Sequence, residues 1–291
     1  MTTGFNLARI IGVLAATAVL SACSAVKLGY NNFHEVAYWW LDGYVDFDRS
    51  QTTRVREDLA RLHLWHRSNE LPQYADLLQK MERLAPGDVT PAQVCGFFDE
   101  LRERLNALAE QSEPAVVTLA LGLAPEQLLH IERKYGKSNA DYRKDWVQLT
   151  PTELKEKRVK RVLERSEMIY GRLGEAQRAR LRQQMEQSAF DAQRILAERQ
   201  RRQQDALQTL RKLAGQPVAM AEARMLLRGY IERAQQSPNA TYRAIQEALI
   251  QENCRNVAAT HNSTTAAQRE AAVQRLSSYQ RDLRELAGND K

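Results

Sequence analysis

A helical period of apolar residues runs through nearly the whole chain and limits the folds that are open to it. From residue 31 to residue 291, long segments place apolar side chains every three or four positions, and no segment alternates convincingly between apolar and polar residues. This spacing puts the apolar side chains on one face of an α-helix. Examples are Val55, Leu59 and Leu62, then Tyr74, Leu77, Leu78, Met81 and Leu84, and later Leu276, Tyr279, Leu283 and Leu286. The sequence therefore predicts an all-α fold, an elongated multi-helix bundle with helical hairpins.

Short segments of similar pattern indicate where several of these helices begin. Most have an aliphatic residue first, then a residue in the cap position, often a proline, and a closing Gln or Glu. The closing side chain can reach back to the cap, and proline fits the first helical position because its missing N–H has no partner there. We interpret them as helix-capping boxes. They cover residues 89–93, 123–127, 149–153, 173–177 and 264–268.

The longest periodic segment covers residues 175–214, and we predict it as one long central helix. At about 1.5 Å per residue it would be about 60 Å long, longer than a small domain is wide. We expect an exposed face on it, with arginines that could bind carboxylate or phosphate groups. The alternative is that Asp191, Glu198 and Asp205 neutralise them on a solvated face. The arginines of this possible binding surface are Arg194, Arg199, Arg201, Arg202 and Arg211.

The N-terminus has the layout of a secretory signal peptide. Arg9 is the only charged side chain before an apolar run over residues 10–20, and this run is shorter than the roughly 20 residues of a transmembrane helix. The run leads into Leu20-Ser21-Ala22-Cys23, which resembles the lipobox of bacterial lipoproteins and implies cleavage before Cys23 and attachment of lipid to its sulfur. We therefore expect a signal peptide over residues 1–22, a lipidated tether over residues 23–30, and a single helical domain over residues 31–291.

Two resemblances add to this interpretation. Residues 27–32, 39–46 and 65–74, with Gln51, resemble an uncharacterised family of proteobacterial envelope lipoproteins. That resemblance implies a helical fold and an outer-membrane address, and it supplies no activity and no catalytic residue. The Leu-Thr-x-x-Gln pattern of the capping boxes is similar to that of the Spy-like periplasmic chaperones, which hold unfolded clients on a concave surface.

Export would place the two remaining cysteines, Cys95 and Cys254, in an oxidising compartment. We expect them to form a disulfide. The alternative is that each thiol is buried separately as a small apolar side chain.

Aromatic residues are crowded close to the expected lipid anchor. Because Tyr and Trp favour the headgroup region of a bilayer, these residues could form an interfacial collar. The alternative is that they plug into the helical core, with Gly43 as the break before the next helix and Asp42 and Asp46 as its caps. The aromatic residues are Tyr38, Trp39, Trp40 and Tyr44.

No familiar catalytic motif occurs in the sequence: it has no Gly-x-Ser-x-Gly, no His-Glu-x-x-His and no glycine-rich phosphate loop. His63, His66 and Glu70 have helical spacing, but zinc would need further ligands from elsewhere. His66 also falls on an apolar stripe. We therefore predict no metal, no cofactor and no enzymatic activity.

The charge balance is mixed, with 42 Lys and Arg against 36 Asp and Glu, which is typical of a solvated surface. Export also removes nucleic acid as a partner. We expect an outer-membrane lipoprotein that faces the periplasm, is anchored in the bilayer through acylated Cys23, and binds unfolded or envelope proteins in a chaperone-like manner. A structural or assembly partner of an envelope complex is the alternative, and an enzyme of unrecognised type is a second one.

The first prediction concerns processing. The mature protein should begin at Cys23, carry acyl chains and partition into membranes, and Ser24 after the lipidated cysteine favours the outer membrane. The Cys23→Ser variant should remain as an unlipidated precursor. Intact-mass spectrometry of the membrane-purified protein checks this, and an unmodified N-terminus would contradict it.

Overall fold

The computed structural model describes residues 27–215 and 217–288, and in this part of the chain the regular structure is helical. The all-α multi-helix bundle predicted from the sequence is confirmed. The signal peptide and Cys23 lie outside the described residues. The helices are α1 (Phe33–Val45), α2 (Arg49–Trp65), α3 (Leu71–Leu84), α4 (Pro91–Leu121), α5 (Pro125–Tyr142), α6 (Pro151–Tyr170), α7 (Glu175–Glu186), α8 (Ala192–Ala214), α9 (Met220–Gln235), α10 (Ala240–Asn262) and α11 (Ala266–Gly288), with π-helical turns over His66–Glu70 and Arg143–Val147.

Helix α4, 31 residues long, organises the middle of the bundle. Helix α10 lies antiparallel along its first half, where the Asn262 side chain bonds to the backbone of Val89. Helix α9 lies antiparallel along its second half, where Arg228 pairs with the buried carboxylate of Glu113. Helix α8 packs against the same end of α4. Helix α4 thus packs against three later helices, α8, α9 and α10.

The last helix returns to the beginning of the chain. Helix α11 lies antiparallel to α3. Pairs of polar side chains occur along the length of this contact. Lys27 pairs with Asp282, at 2.8 Å, and with Glu285. The start of the described chain is therefore fastened to the C-terminal helix. The pairs between the α3 region and α11 are Asp88 with Arg269, Glu82 with Gln280, and Asp76 with Arg284.

Apolar burial is divided among several small clusters along the bundle. One cluster joins α4, α8 and α9, a second joins α5 to α8, and a third joins α4 to α10. The part of the chain that is described contains no single helix long and apolar enough to cross a bilayer. Helix α4 together with Pro125–Val147 meets that test only as a pair bent by 118°.

Each of the capping boxes predicted from the sequence begins a helix, which confirms that interpretation. Thr90 and Thr150 accept the N–H of the residue three positions later, and the closing Gln93 and Glu153 accept the N–H of the cap. The boxes before α5 and α7 have Ala124 and Gly174 at the cap position, so only their closing Gln makes the bond. Propensity and capping chemistry therefore set these helix starts.

Two pairs of the closing glutamines also join one helix start to another. Gln51, from the Asp48 box of α2, and Gln127, from the box of α5, exchange amide hydrogen bonds of 3.1 and 2.6 Å. Gln51 donates further to the Gly122 carbonyl and Gln127 to the Asp46 carbonyl, both at 2.9 Å. Both glutamines are buried. This arrangement, which we call a glutamine clasp, fixes α2 against α5.

A second glutamine clasp joins α7 to α11. Gln177 and Gln268 exchange amide hydrogen bonds of 2.8 and 3.1 Å. Gln177 also donates to the Ser263 carbonyl and Gln268 to the Arg172 carbonyl, both at 2.9 Å. The same four-part pattern therefore occurs at two places in the bundle.

The prediction of one continuous helix over residues 175–214 is wrong. The structure ends α7 at Glu186 and starts α8 at Ala192. Asp191 accepts the N–H groups of Gln193 and Arg194 and caps α8, and the Ala189 N–H donates to Glu252 of α10. Ser and Asp side chains compete with the helical backbone in this way, so local capping and a contact from α10 interrupt the helix although the apolar period continues.

Neither interpretation of the aromatic segment holds for all of its members. Tyr38 is buried at 5% exposure, as the core interpretation requires, whereas Trp39 and Trp40 are 64% and 63% exposed. Tyr44 contacts the ring of Tyr135 on α5, with 6.3 Å between centroids. Helix α1 thus has a buried side and an exposed aromatic side.

The helix break that we expected in this segment lies further along the chain. Gly43 is inside α1, which ends at Val45. Asp48, rather than Asp42 or Asp46, caps α2. Asp42 instead accepts the N–H of Phe47 at 2.9 Å, which holds the turn between α1 and α2.

Cys95 and Cys254 are joined by a disulfide between α4 and α10 in the structure, with a Cα–Cα distance of 5.4 Å, inside the usual range for such a bond. Cys254 is fully buried beside Val94 and Ala258. The structure therefore brings together the two residues that the sequence paired.

We expect Gln127→Ala to lower the free energy of unfolding by about 2 to 3 kcal/mol, because it leaves buried partners of the amide unpaired. The matched control is Gln93→Ala, which removes an exposed box closure and should cost about 1 kcal/mol. Urea unfolding measures both. A double-mutant cycle of Gln127→Ala with Gln51→Ala should show coupling, and equal losses in Gln93→Ala and Gln127→Ala would contradict the role of the clasp.

Loss of the disulfide should lower the free energy of unfolding by about 4 to 5 kcal/mol on the loop-entropy model, because the bridged residues are 159 apart in sequence. Urea unfolding with and without a reductant measures this loss. The Cys95→Ser/Cys254→Ser double variant is the control, and its stability should not respond to the reductant. Two reactive thiols in the denatured, unreduced protein would show that the bridge does not form.

Candidate functional site: a pocket of tyrosines and arginines

The arginines singled out in the sequence all lie on α8, but they do not form one surface. Arg201 and Arg202 both bond to the buried carboxylate of Glu198, each at 2.9 Å. Arg201 also pairs with Asp205 at 3.3 Å. For these two arginines, the structure shows the neutralising contacts that the alternative interpretation predicted.

The outer two arginines lie towards opposite ends of α8 and are also paired. Arg194 pairs with Asp191 at 3.1 Å, and Arg211 pairs with Glu132 of α5 at 2.8 Å. Surface ion pairs of this kind contribute little to stability. Neither side chain lines the pocket described below.

Arg199 differs from the other four because its hydrogen-bonding partners are neutral. Its Nε–H donates to Asn139 Oδ1 at 3.1 Å and an Nη2–H donates to Ser138 Oγ. The guanidinium carbon lies 5.9 Å from the centre of the Tyr142 ring. Arg199 is half-buried, and none of its contacts within the described residues neutralises its charge.

Arg199 and Arg202 line a pocket of about 280 Å³ at the meeting point of four helices. Four tyrosines form much of its wall, and we call it the Tyr–Arg pocket. Helix α5 contributes Tyr135 and Tyr142, α8 contributes Ile195, Glu198, Arg199, Arg202 and Gln203, α9 contributes Tyr230, and α10 contributes Tyr242.

Three polar contacts hold the walls of the Tyr–Arg pocket in place. Asn139 of α5 donates to Gln203 of α8 at 2.7 Å. Ser237, fully buried in the turn between α9 and α10, donates to Glu198 at 2.9 Å. The Arg243 side chain donates to the Ser237 carbonyl at 2.7 Å. The pocket is therefore formed by fixed side chains on packed helices.

Three tyrosines and the glutamate of the Tyr–Arg pocket each have one dominant protonation state at neutral pH. Burial raises the pKa of Tyr135 to about 12, helped by the neighbouring Tyr230 and Tyr44, and burial also raises the pKa of Tyr142 and Tyr230. Burial opposes ionisation of Glu198, but hydrogen bonds from Arg201, Arg202 and Ser237 outweigh it and lower its pKa. These phenols therefore stay protonated, and Glu198 stays ionised.

Together these groups make the Tyr–Arg pocket suited to an anion. The charge of Glu198 is balanced by Arg201 and Arg202, so Arg199 supplies a positive charge that its own contacts do not neutralise. Protonated phenols can add hydrogen-bond donors. A guanidinium beside neutral donors is a favourable site for a carboxylate or a phosphate.

A larger groove, of about 560 Å³, lies between α2 and α4. Its wall is mainly apolar, with Val55, Leu59 and Leu62 on α2 and Leu119 on α4. It contains none of the arginines of α8. We regard the Tyr–Arg pocket as the better candidate because it combines the half-buried Arg199 with polar groups that can orient a ligand.

The histidines considered for a metal are used differently in the structure. Tyr30 Oη lies 2.9 Å from His66 Nδ1, and the Tyr30 ring packs edge-on to His63 at 4.8 Å. Burial lowers the pKa of His66, so it is neutral at pH 7. Within the described ranges, no group of three or more His, Cys, Asp or Glu side chains could hold a metal ion.

The tyrosines of the pocket were missed in the sequence analysis. Tyr135 and Tyr142 are seven residues apart, so they lie on one face of α5, and this spacing was a usable signal. Tyr230 and Tyr242 belong to two other helices, and only the packing of those helices brings them to Arg199.

Comparison with known proteins gives one match. Residues 43–225 match a family of unknown function, DUF6279, and this range covers more than half of the chain and includes Tyr135, Tyr142 and Arg199. No curated protein and no solved structure matches the chain at a significant level. The protein therefore belongs to the DUF6279 family of unknown function.

Proposed function

We propose that this protein is a non-enzymatic binding protein of the bacterial envelope, anchored to the outer membrane through Cys23, that holds an anionic group of its ligand in the Tyr–Arg pocket. The observation that carries the proposal is the half-buried Arg199, whose partners Ser138 and Asn139 are neutral and whose guanidinium borders a wall of phenols. A binding role fits the chaperone-like activity expected from the sequence.

Binding is favoured over catalysis by the protonation states in the pocket. General acid–base catalysis works best with a group whose pKa lies near the operating pH. The pKa values of Tyr135, Tyr142 and Tyr230 are raised, and that of Glu198 is lowered. These shifts move each pKa further from neutral pH, so the protonation states stay constant, which suits a fixed recognition surface.

The size and chemistry of the pocket favour the end or a side chain of a polypeptide as the bound group. A volume of about 280 Å³ accommodates a small group, and tyrosine rings offer apolar surface together with polar hydroxyls. A guanidinium binds carboxylate in a bidentate manner, and it binds phosphate by the same chemistry. A carboxylate of an unfolded or envelope protein is the source that we favour, and phosphate is tested beside it.

The envelope address rests on the N-terminal sequence. The apolar run over residues 10–20 and the Leu20-Ser21-Ala22-Cys23 segment resemble a lipoprotein signal peptide, and Ser24 favours the outer membrane. The capping boxes that resemble those of the Spy-like chaperones support a client-binding role in the periplasm.

Calorimetric titration with three probes tests the proposed binding. N-acetylphenylalanine and inorganic phosphate should bind, and N-acetylphenylalanine amide, which lacks the carboxylate, should bind much more weakly. Arg199→Gln should weaken binding of the acid by about 10- to 100-fold, the effect of losing charged hydrogen bonds. Glutamine keeps a donor for Ser138 and Asn139, and circular dichroism checks that the helices remain.

The matched control is Arg194→Gln, which removes an exposed arginine of the same helix that is paired with Asp191 and lies outside the pocket. Its affinity should equal that of the wild type. The proposal is wrong if Arg199→Gln binds the acid as tightly as Arg194→Gln does, or if the acid and its amide bind equally. Binding of phosphate alone would move the ligand class from carboxylate to phosphate.

A further inference from the structure

Helix α1 presents an uncharged apolar face to solvent near the start of the described chain. Phe33, Val36, Trp39 and Trp40 are 54%, 58%, 64% and 63% exposed. Their spacing of three, three and one residues places them on one side of the helix. Single exposed apolar residues are ordinary on protein surfaces, whereas a contiguous exposed patch marks an interaction surface.

The opposite side of α1 is fastened to α2, so the helix cannot turn to bury this face. Tyr38 is buried, and its hydroxyl lies 3.2 Å from Thr52 Oγ1. The Arg56 guanidinium lies 3.9 Å from the centre of the Tyr38 ring and pairs with Glu35. The exposure of the tryptophans is therefore a fixed property of the packed bundle.

The chemistry of this face fits a bilayer surface. Tryptophan favours the headgroup region, where its ring is held between apolar chains and water. The charged residues Glu35 and Asp42 are occupied elsewhere, in the pair with Arg56 and in the bond to the Phe47 N–H.

The position of this face on α1 is also consistent with contact with a bilayer. The described chain begins at Lys27, which is four positions after Cys23 in the sequence, a span of at most about 14 Å. A lipid on Cys23 would therefore keep the start of α1 close to the bilayer.

We propose that Phe33, Val36, Trp39 and Trp40 insert into the headgroup region of the bilayer and so orient the bundle with α1 along the membrane surface. The closeness of α1 to the bilayer rests on the proposed anchor at Cys23. The exposure and the chemistry of the face do not depend on it.

Quenching of tryptophan fluorescence by brominated lipid tests the inference. The full chain, purified from membranes, is placed in phosphatidylcholine vesicles with or without bromine on carbons 6 and 7 of one acyl chain. In the Trp65→Phe/Trp146→Phe variant the emission comes from Trp39 and Trp40. Bromine should reduce it by roughly twofold or more, since a headgroup-level ring lies close to these carbons.

Two matched variants serve as controls. The Trp39→Phe/Trp40→Phe variant keeps Trp65 and Trp146, and its emission should be the same with both lipids. Met225→Gln changes a side chain on α9 that is 66% exposed, and when it is introduced into the Trp65→Phe/Trp146→Phe variant it should leave the quenching of Trp39 and Trp40 unchanged.

Mass spectrometry of the same preparation shows whether Cys23 carries lipid. It therefore distinguishes a failure of the proposed lipid anchor from a failure of the proposed membrane contact of α1. A lipidated protein whose Trp39 and Trp40 emission is unaffected by bromine overturns the inference. A protein without lipid whose emission is still quenched on added vesicles contradicts the anchor and supports the face. A protein with neither lipid nor quenching overturns both.

Discussion

The bundle depends on amide side chains that each serve two helices at once. In both glutamine clasps the side-chain oxygen accepts the N–H at the start of its own helix, and the nitrogen donates to a carbonyl in the turn before the other helix. Buried polar groups need such partners, since an unpaired one destabilises the fold. Because Gln127 also binds Gln51, the start of α5 cannot move independently of α2. That bond therefore helps to position α5, which carries Tyr135 and Tyr142.

The sequence predicted what is local and did not predict what is tertiary. The capping boxes were recognised because their bonds lie within one turn, and the pairing of Cys95 with Cys254 followed from counting thiols. The break between α7 and α8 was missed because the apolar period continues across it, whereas Asp191 caps the start of α8 and the Ala189 N–H donates to Glu252 of α10. The Tyr–Arg pocket was also missed in part, since its walls come from four helices and only lining residues of α8, among them Arg199 and Arg202, had been singled out.

Buried carboxylates hold the arginine-rich helices in this protein. Glu198 on α8 binds Arg201, Arg202 and the turn before α10, and Glu113 on α4 binds Arg228 of α9 at 2.6 Å. The two carboxylates are buried, so loss of their arginine partners would leave a buried negative charge uncompensated. The charges of Arg201, Arg202 and Arg228 are balanced within the fold by these two carboxylates. Of the five arginines singled out on α8, only Arg199 hydrogen-bonds to neutral groups alone.

The disulfide between α4 and α10 has a mechanical consequence. It closes a loop that contains α5 to α9 and every residue of the Tyr–Arg pocket, from Tyr135 to Tyr242. A molecule held at its N-terminus and pulled through α11 would transmit tension from Cys95 directly to Cys254. The segment inside the loop would carry none of that force. Tension between the N-terminus and α11 would therefore strain the contact of α3 with α11 while the pocket keeps its shape.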